Sequence, residues 1–222
     1  MIGFVVAMEK EARLVLDRSD IIDRQVLAGK NIVKGRFCGK EFVLIIAGIG
    51  KVNAGMATQI LIDNYSVERL VNFGLAGGKQ GSGLSAGDVV QVGKVCQYDF
   101  DLSELDEVSV GYMQDYDLIY FPAKTSASLA SQYKVVTCAT GDRFTSKKIY
   151  LDTVRDLGAQ VVDMESGAIA QVAFANGVDV SILKIISDVD GKYESIYSQY
   201  ASNNAEICRL IPDAIELLFN NL

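Results

Sequence analysis

Histidine is absent from the 222 residues of this chain. That absence removes Ser-His-Asp and Cys-His nucleophilic mechanisms and histidine-containing zinc sites. Acid–base chemistry must then fall to Asp, Glu, Lys, Tyr or Cys. Cysteine is scarce: Cys38, Cys96, Cys138 and Cys208 lie far apart with no C-x-x-C pair. This predicts free thiols in a reducing, cytoplasmic compartment. There is no dense Lys/Arg block and the net charge is −7. A nucleic-acid backbone, which needs a basic face, is therefore not an expected partner. No apolar run approaches the roughly 18 residues of a membrane span. "MIGFVVAMEKEA" turns charged too early for a signal peptide. A soluble protein with no membrane partner is expected.

Half the residues are apolar, 22% are charged and only two are proline, so a substantial core can form. The length suits one α/β domain over residues 1–222. Residues 1–8 read as a buried strand and "EKEARLVLD" as a helix. "NIVKGRFCGKEFVLIIAG" reads as a hairpin about "CGKE". "GIGKVNAGMATQILIDNY" turns on glycine into a helix with Val52, Met56 and Ile60 on one face. "RLVNFGLAGG", "GDVVQVGKV", "YKVVTCAT", "AQVVDM" and "DVSILKIISD" read as strands. Helices are expected over "TSKKIYLDTVRDLG", with Thr145 as N-cap and Gly158 as stop, and over "ESGAIAQVAFANG". Residues 97–120 read as a long acidic loop. The last helical region should be kinked or divided by Pro212. Alternating strands and helices predict an α/β fold: a central mixed, mostly parallel sheet flanked by helices, with antiparallel pairing from the hairpin. In such sheets ligands gather at the carboxyl ends of strands.

Two glycine-rich turns invite a nucleotide reading and fail it. "GIGKV" lacks the Walker A spacing and the following Ser/Thr, and "GSGLSAG" misses G-x-G-x-x-G by one residue. Tight turns and backbone approach to a small ligand both remain open for them. The carboxylates are more telling. Glu11, Asp142, Glu165 and Asp188 each follow a predicted strand. Any one alone reads as a helix cap. Several on one sheet edge suit the breaking of a glycosidic bond, one acid protonating the leaving group and another handling water. Glu165, between a buried strand and a buried helix, is costly unless something needs it there. Lys184, in the apolar "SILKIISD", either snorkels, pairs with an acid or faces a ligand.

"AMEKEA" (7–12), "AGIGKVNA" (47–54), "GLAGG" (74–78), "GDVV" (87–90), "TGDRF" (140–144), "DMESGAIAQVA" (163–173) and "ISDVDG" (186–191) occur in the order and spacing of one family. The chain resembles the 5′-methylthioadenosine/S-adenosylhomocysteine nucleosidases of the nucleoside phosphorylase superfamily, nearly end to end, less so in 97–135 and 192–206. The resemblance implies a nucleoside phosphorylase/hydrolase-like fold and hydrolysis of a 5′-modified adenosine to adenine, with no cofactor and no metal.

It also implies residue roles. Glu165 would accept the ribose hydroxyls, with Met164 against the sugar and Met8 also at the substrate. Asp188 would protonate N7 of adenine, oriented by Ser187. Glu11 would position and deprotonate the attacking water. Phe144 would stack on the purine, with main chain at Phe144–Thr145 reading its edge. Ile49, Leu102 and Leu105 would line the 5′-thioalkyl pocket, completed across a homodimer interface. The chain departs from the family pattern at Leu75, where Ser is usual, and at Lys184, where Arg is usual. The loop at "QYDFDL" lacks the usual histidine. A purine nucleoside phosphorylase and a weakly active, nucleoside-binding relative are the competing readings. Phosphate dependence of base release separates hydrolase from phosphorylase.

Overall fold

The computed structural model describes residues 1–144, 148–191 and 195–221. β1 (Ile2–Val6), a buried apolar run, leads into α1 (Glu9–Leu16). Three antiparallel strands follow: β2 (Asp20–Leu27), β3 (Lys30–Phe37) and β4 (Lys40–Ile46). The β3–β4 hairpin turns at Cys38–Gly39, as its sequence predicts. β2 was not expected. All eight of its residues are exposed, so it lacks the alternation of burial that marks a strand.

α2 (Lys51–Tyr65) crosses to β5 (Arg69–Gly78), and β6 (Val89–Gln97) follows. The stretch after it is largely irregular, as expected, holding only a short helix, α3 (Ser103–Asp106), before β7 (Phe121–Pro122). The remainder is β8 (Lys134–Thr140), α4 (Lys148–Asp156), β9 (Val161–Asp163), α5 (Ser166–Ala175), β10 (Asp179–Val189), α6 (Ile196–Ile207) and α7 (Ile211–Phe219). Gly158 stops α4 at φ 64°. The expected cap Thr145 lies outside the described residues. Pro212 sits in the first turn of α7 and separates it from α6 across a 3-10 turn at Cys208–Leu210. A proline fits the first turn, where its missing N–H is not needed.

The sheet is mixed. β1 pairs in parallel with β4 and β5, β5 with β10, and β6 with β8, which in turn pairs with β9. β10–β6 and β5–β9 are antiparallel. Together these ladders join β5, β10, β6, β8 and β9 into a closed ring, from which β1, β4, β3 and β2 continue the sheet in that order. Alternate residues of the central strands feed two cores. Val5, Leu70 and Ala76 pack with α2 and α5. Phe4, Val6, Val71 and Phe73 pack with α1 and α7. Among the described residues no helix is long and apolar enough to cross a membrane.

Candidate active site

The carboxyl ends of β1, β5, β9 and β10 meet at one cavity of about 390 Å³, within the range of small-molecule sites. β1 ends at Ala7–Met8, and α1 starts so that Glu11 folds back over that junction. Its Oε2 accepts the Met8 N–H (3.0 Å) and its Oε1 the Leu75 N–H at the end of β5 (3.0 Å). Glu11 is only 2% exposed. Burial raises its pKa against the pull of those two N–H groups and of Lys184. A carboxylate held this way is readied to take a proton.

Glycines of β5 make the room. A Cβ on Gly74 would stand 2.7 Å from Glu11 Oε1, and one on Gly77 would stand 3.1 Å from Asp188 Oδ2. "GLAGG" thus lets two carboxylates rest against one strand. Asp188 follows a β-bulge: the register of β10 on β5 slips between Ile186 and Asp188. Bulges beside active sites re-aim side chains. Ser187 Oγ donates to Asp188 Oδ1 at 2.5 Å. Burial, with Asp190 nearby, raises the Asp188 pKa against that bond.

Glu165 occupies the turn from β9 into α5. Its Oε1 accepts the Gly50 N–H at the start of α2 (2.9 Å). Burial first, and then the charge of Asp163, push its pKa up to about 7. Asp163 is a hub. It accepts hydrogen bonds from Thr140 Oγ1 (2.5 Å), Ser166 Oγ (2.5 Å) and Ser166 N–H (3.0 Å), and it pairs with Lys184 Nζ at 2.9 Å. Burial alone would raise its pKa; Lys184 and the hydroxyls outweigh that and lower it. Lys184, 1% exposed, therefore pairs with an acid and does not snorkel. Burial alone would push its ammonium down, but Asp163 and Glu165 hold it above its usual value.

The cavity brings together Met8, Glu11, Ile49, Phe144, Met164, Glu165, Ser187 and Asp188. Thr145 lies outside the described residues. Leu102 and Leu105 do not line the cavity of this chain; Leu105 is 78% exposed. Asp142 stands outside the cavity lining, where it accepts the Lys51 N–H at 2.7 Å. Asp163, Arg143, Ile196 and Tyr200 line the cavity without having been expected to. Asp163 and Arg143 lie inside "DMES" and "TGDRF", so the motifs held a signal for them. Tyr200 gave none. It comes from polar α6 and meets Phe144 at 5.9 Å between ring centroids, while its hydroxyl accepts Lys10 Nζ at 3.0 Å. Leu75 contributes to Glu11 through its backbone, so the side chain there is free of that duty. Among the described residues no three Asp, Glu or Cys side chains are grouped to hold a metal ion.

Comparison with known proteins agrees with this geometry. The profile of the Phosphorylase superfamily matches residues 1–216. A 5′-methylthioadenosine/S-adenosylhomocysteine nucleosidase of Bacillus thuringiensis (strain Al Hakam) is 33% identical over 205 residues, covering 88% of each chain. A solved futalosine hydrolase of Helicobacter pylori superposes with a TM-score of 0.88 at 25% identity, covering 100% of this chain and 97% of that one. The 5′-methylthioadenosine/S-adenosylhomocysteine nucleosidase of S. pneumoniae, bound to a transition-state inhibitor, does so at 0.87 and 25%, covering 99% and 98%. The chain belongs to the phosphorylase superfamily and, within it, to the 5′-methylthioadenosine/S-adenosylhomocysteine nucleosidase family.

Proposed function

We propose that the chain hydrolyses the N-glycosidic bond of a 5′-modified adenosine, 5′-methylthioadenosine or S-adenosylhomocysteine, releasing adenine. The convergence of Glu11, Glu165 and Asp188 on one largely apolar cavity carries this reading. Glu11, held by two N–H groups and raised in pKa, takes a proton from water as that water attacks C1′. Asp188, oriented by Ser187, gives a proton to N7 so that adenine leaves neutral. Glu165 accepts the ribose hydroxyls and favours the positive charge growing on the sugar. Met8 and Met164 pack against the sugar, and Phe144 against the purine. Proton and water balance: the base leaves with the proton from Asp188, and the sugar keeps the hydroxyl.

The cations near the cavity do not favour a phosphate nucleophile. Lys184 is committed to Asp163, and Arg143 lies 4.0 Å over the Tyr150 ring. The test is base release from methylthioadenosine, adenosylhomocysteine, futalosine and adenosine, each with and without phosphate. Futalosine is included because the two solved relatives superpose equally well. Release that requires phosphate would replace the hydrolase by a phosphorylase, and no release would sink both.

The acting unit is proposed to be a homodimer of single-domain chains in the cytoplasm. Ile49, in the turn before α2, and Val52 and Met56 on α2 are exposed apolar side chains beside the cavity, Val52 at 82% exposure. A neighbour covering them brings Leu102 and Leu105 to its partner's 5′ pocket. Light scattering at micromolar concentration checks it; a stable monomer refutes it.

A further inference from the structure

The ion pair of Lys184 and Asp163 lies beneath the cavity with both side chains all but excluded from solvent. No bond-making step above uses either group. Such a pair is a weak source of stability, because two buried charges lose about as much hydration as they gain in attraction. Its surroundings suggest a different use. Asp163 ties together three elements: Thr140 ends β8, Ser166 opens α5, and Lys184 comes from the middle of β10. The Cys138 thiol, from β8, completes its shell at 3.5 Å. Glu165 is two residues further along the same turn.

Building on the nucleosidase reading, we propose that Lys184 and Asp163 form a positioning pair: Asp163 clamps the turn that carries Glu165, and Lys184 supplies the positive charge that lets Glu11 and Glu165 be ionised together in one water-poor cavity.

The electrostatics support the geometry. Glu165 faces Asp163 on β9, Lys184 on β10, Glu11 on α1 and the Gly50 N–H of α2. Glu11 faces Lys184, Lys10 and the N–H groups of Met8 and Leu75. Lys184 lowers the pKa of both glutamates, whereas Asp163 raises that of Glu165. Deleting either member of the pair should therefore move Glu165 in opposite directions. A pair that served packing alone, without acting on the Glu165 charge, would leave its midpoint in place.

The experiment labels the chain with [δ-13C]glutamate and follows the Glu165 carboxyl by NMR titration, its resonance identified by its loss in Glu165→Gln. Lys184→Met should move the Glu165 midpoint to higher pH and Asp163→Asn to lower pH. The double variant should fall between them. Lys184→Arg, which keeps the charge, should titrate like wild type and retain most of its turnover. The acidic limb of the kcat–pH profile should shift in the same order. If Lys184→Met fails to fold, Asp163→Asn, with its midpoint below wild type, and the double variant, with its midpoint above that of Asp163→Asn, carry the test. Midpoints that stay put, or move the same way in both single variants, overturn the pair's role. A wild-type chain that releases no base sinks the nucleosidase reading instead, and the titration order still decides what the pair does.

Discussion

Replacing Glu165 by glutamine should stabilise the fold while impairing catalysis, and the gain should depend on pH. Glu165 is buried, and its pKa rises from 4.5 to about 7. Its folded pKa thus lies above its unfolded value. Between these two values the folded state keeps a proton that the unfolded state has released, so stability falls as pH rises through that interval. Above about pH 7 the deficit levels off. At 1.36 kcal/mol per pH unit over the 2.5 units between 4.5 and about 7, it is about 3 kcal/mol. Glutamine has no charge to bury and can still accept the Gly50 N–H. In a chain of this size each kcal/mol moves Tm by about 2–4 °C. Glu165→Gln should therefore melt roughly 6–12 °C higher than wild type at pH 8 and at nearly the same temperature at pH 4.5. The assay is thermal unfolding of both proteins across that pH range without ligand. A Tm difference that does not change with pH would show that Glu165 is not a strained carboxylate, and its proposed role in meeting a cationic sugar would lose its physical basis.

Glu11→Gln should lower turnover by roughly 10²–10⁴-fold, the usual share of a general base, with nucleoside binding retained by calorimetry; near wild-type turnover refutes the assignment. Because burial raises Glu11, wild-type kcat should begin to fall on acidification at a pH above that at which an ordinary carboxylate protonates. Gly74→Ala would put a methyl 2.7 Å from Glu11 Oε1, too close for the carboxylate to stay in place; a misplacement on the order of 1 Å costs roughly 10²-fold in turnover, and unchanged kinetics would mean that Glu11 need not sit where it does. Asp188→Asn should be crippling with adenine as leaving group and much milder with a p-nitrophenyl riboside, which needs no protonation; equal losses on both would make Asp188 an orienting group rather than an acid.

The local pattern of the chain carries its own elements and the ends where chemistry gathers. Buried strands announce themselves as apolar runs, because a strand packed on both faces has no polar side; β10, buried from Val180 to Val189, is the clearest. Acids placed just after such runs, Glu11, Glu165 and Asp188, were legible for the same reason: charge at the edge of a buried segment stands out. Other features depend on partners distant in sequence. The closure of β5, β10, β6, β8 and β9 into a ring is set by which edges meet, and hydrophobic periodicity encodes burial without naming the neighbour. β2 escaped because an exposed edge strand has no buried face to alternate. The glycines of "GLAGG" acquire their meaning only when Glu11 and Asp188, 63 and 111 positions from Gly74 and Gly77 in the chain, come to rest on them. Lys184 left three options in the sequence, and the tertiary fold chose among them by bringing Asp163 within 2.9 Å, since a buried ammonium must find an opposite charge and only the packed structure determines which one is within reach.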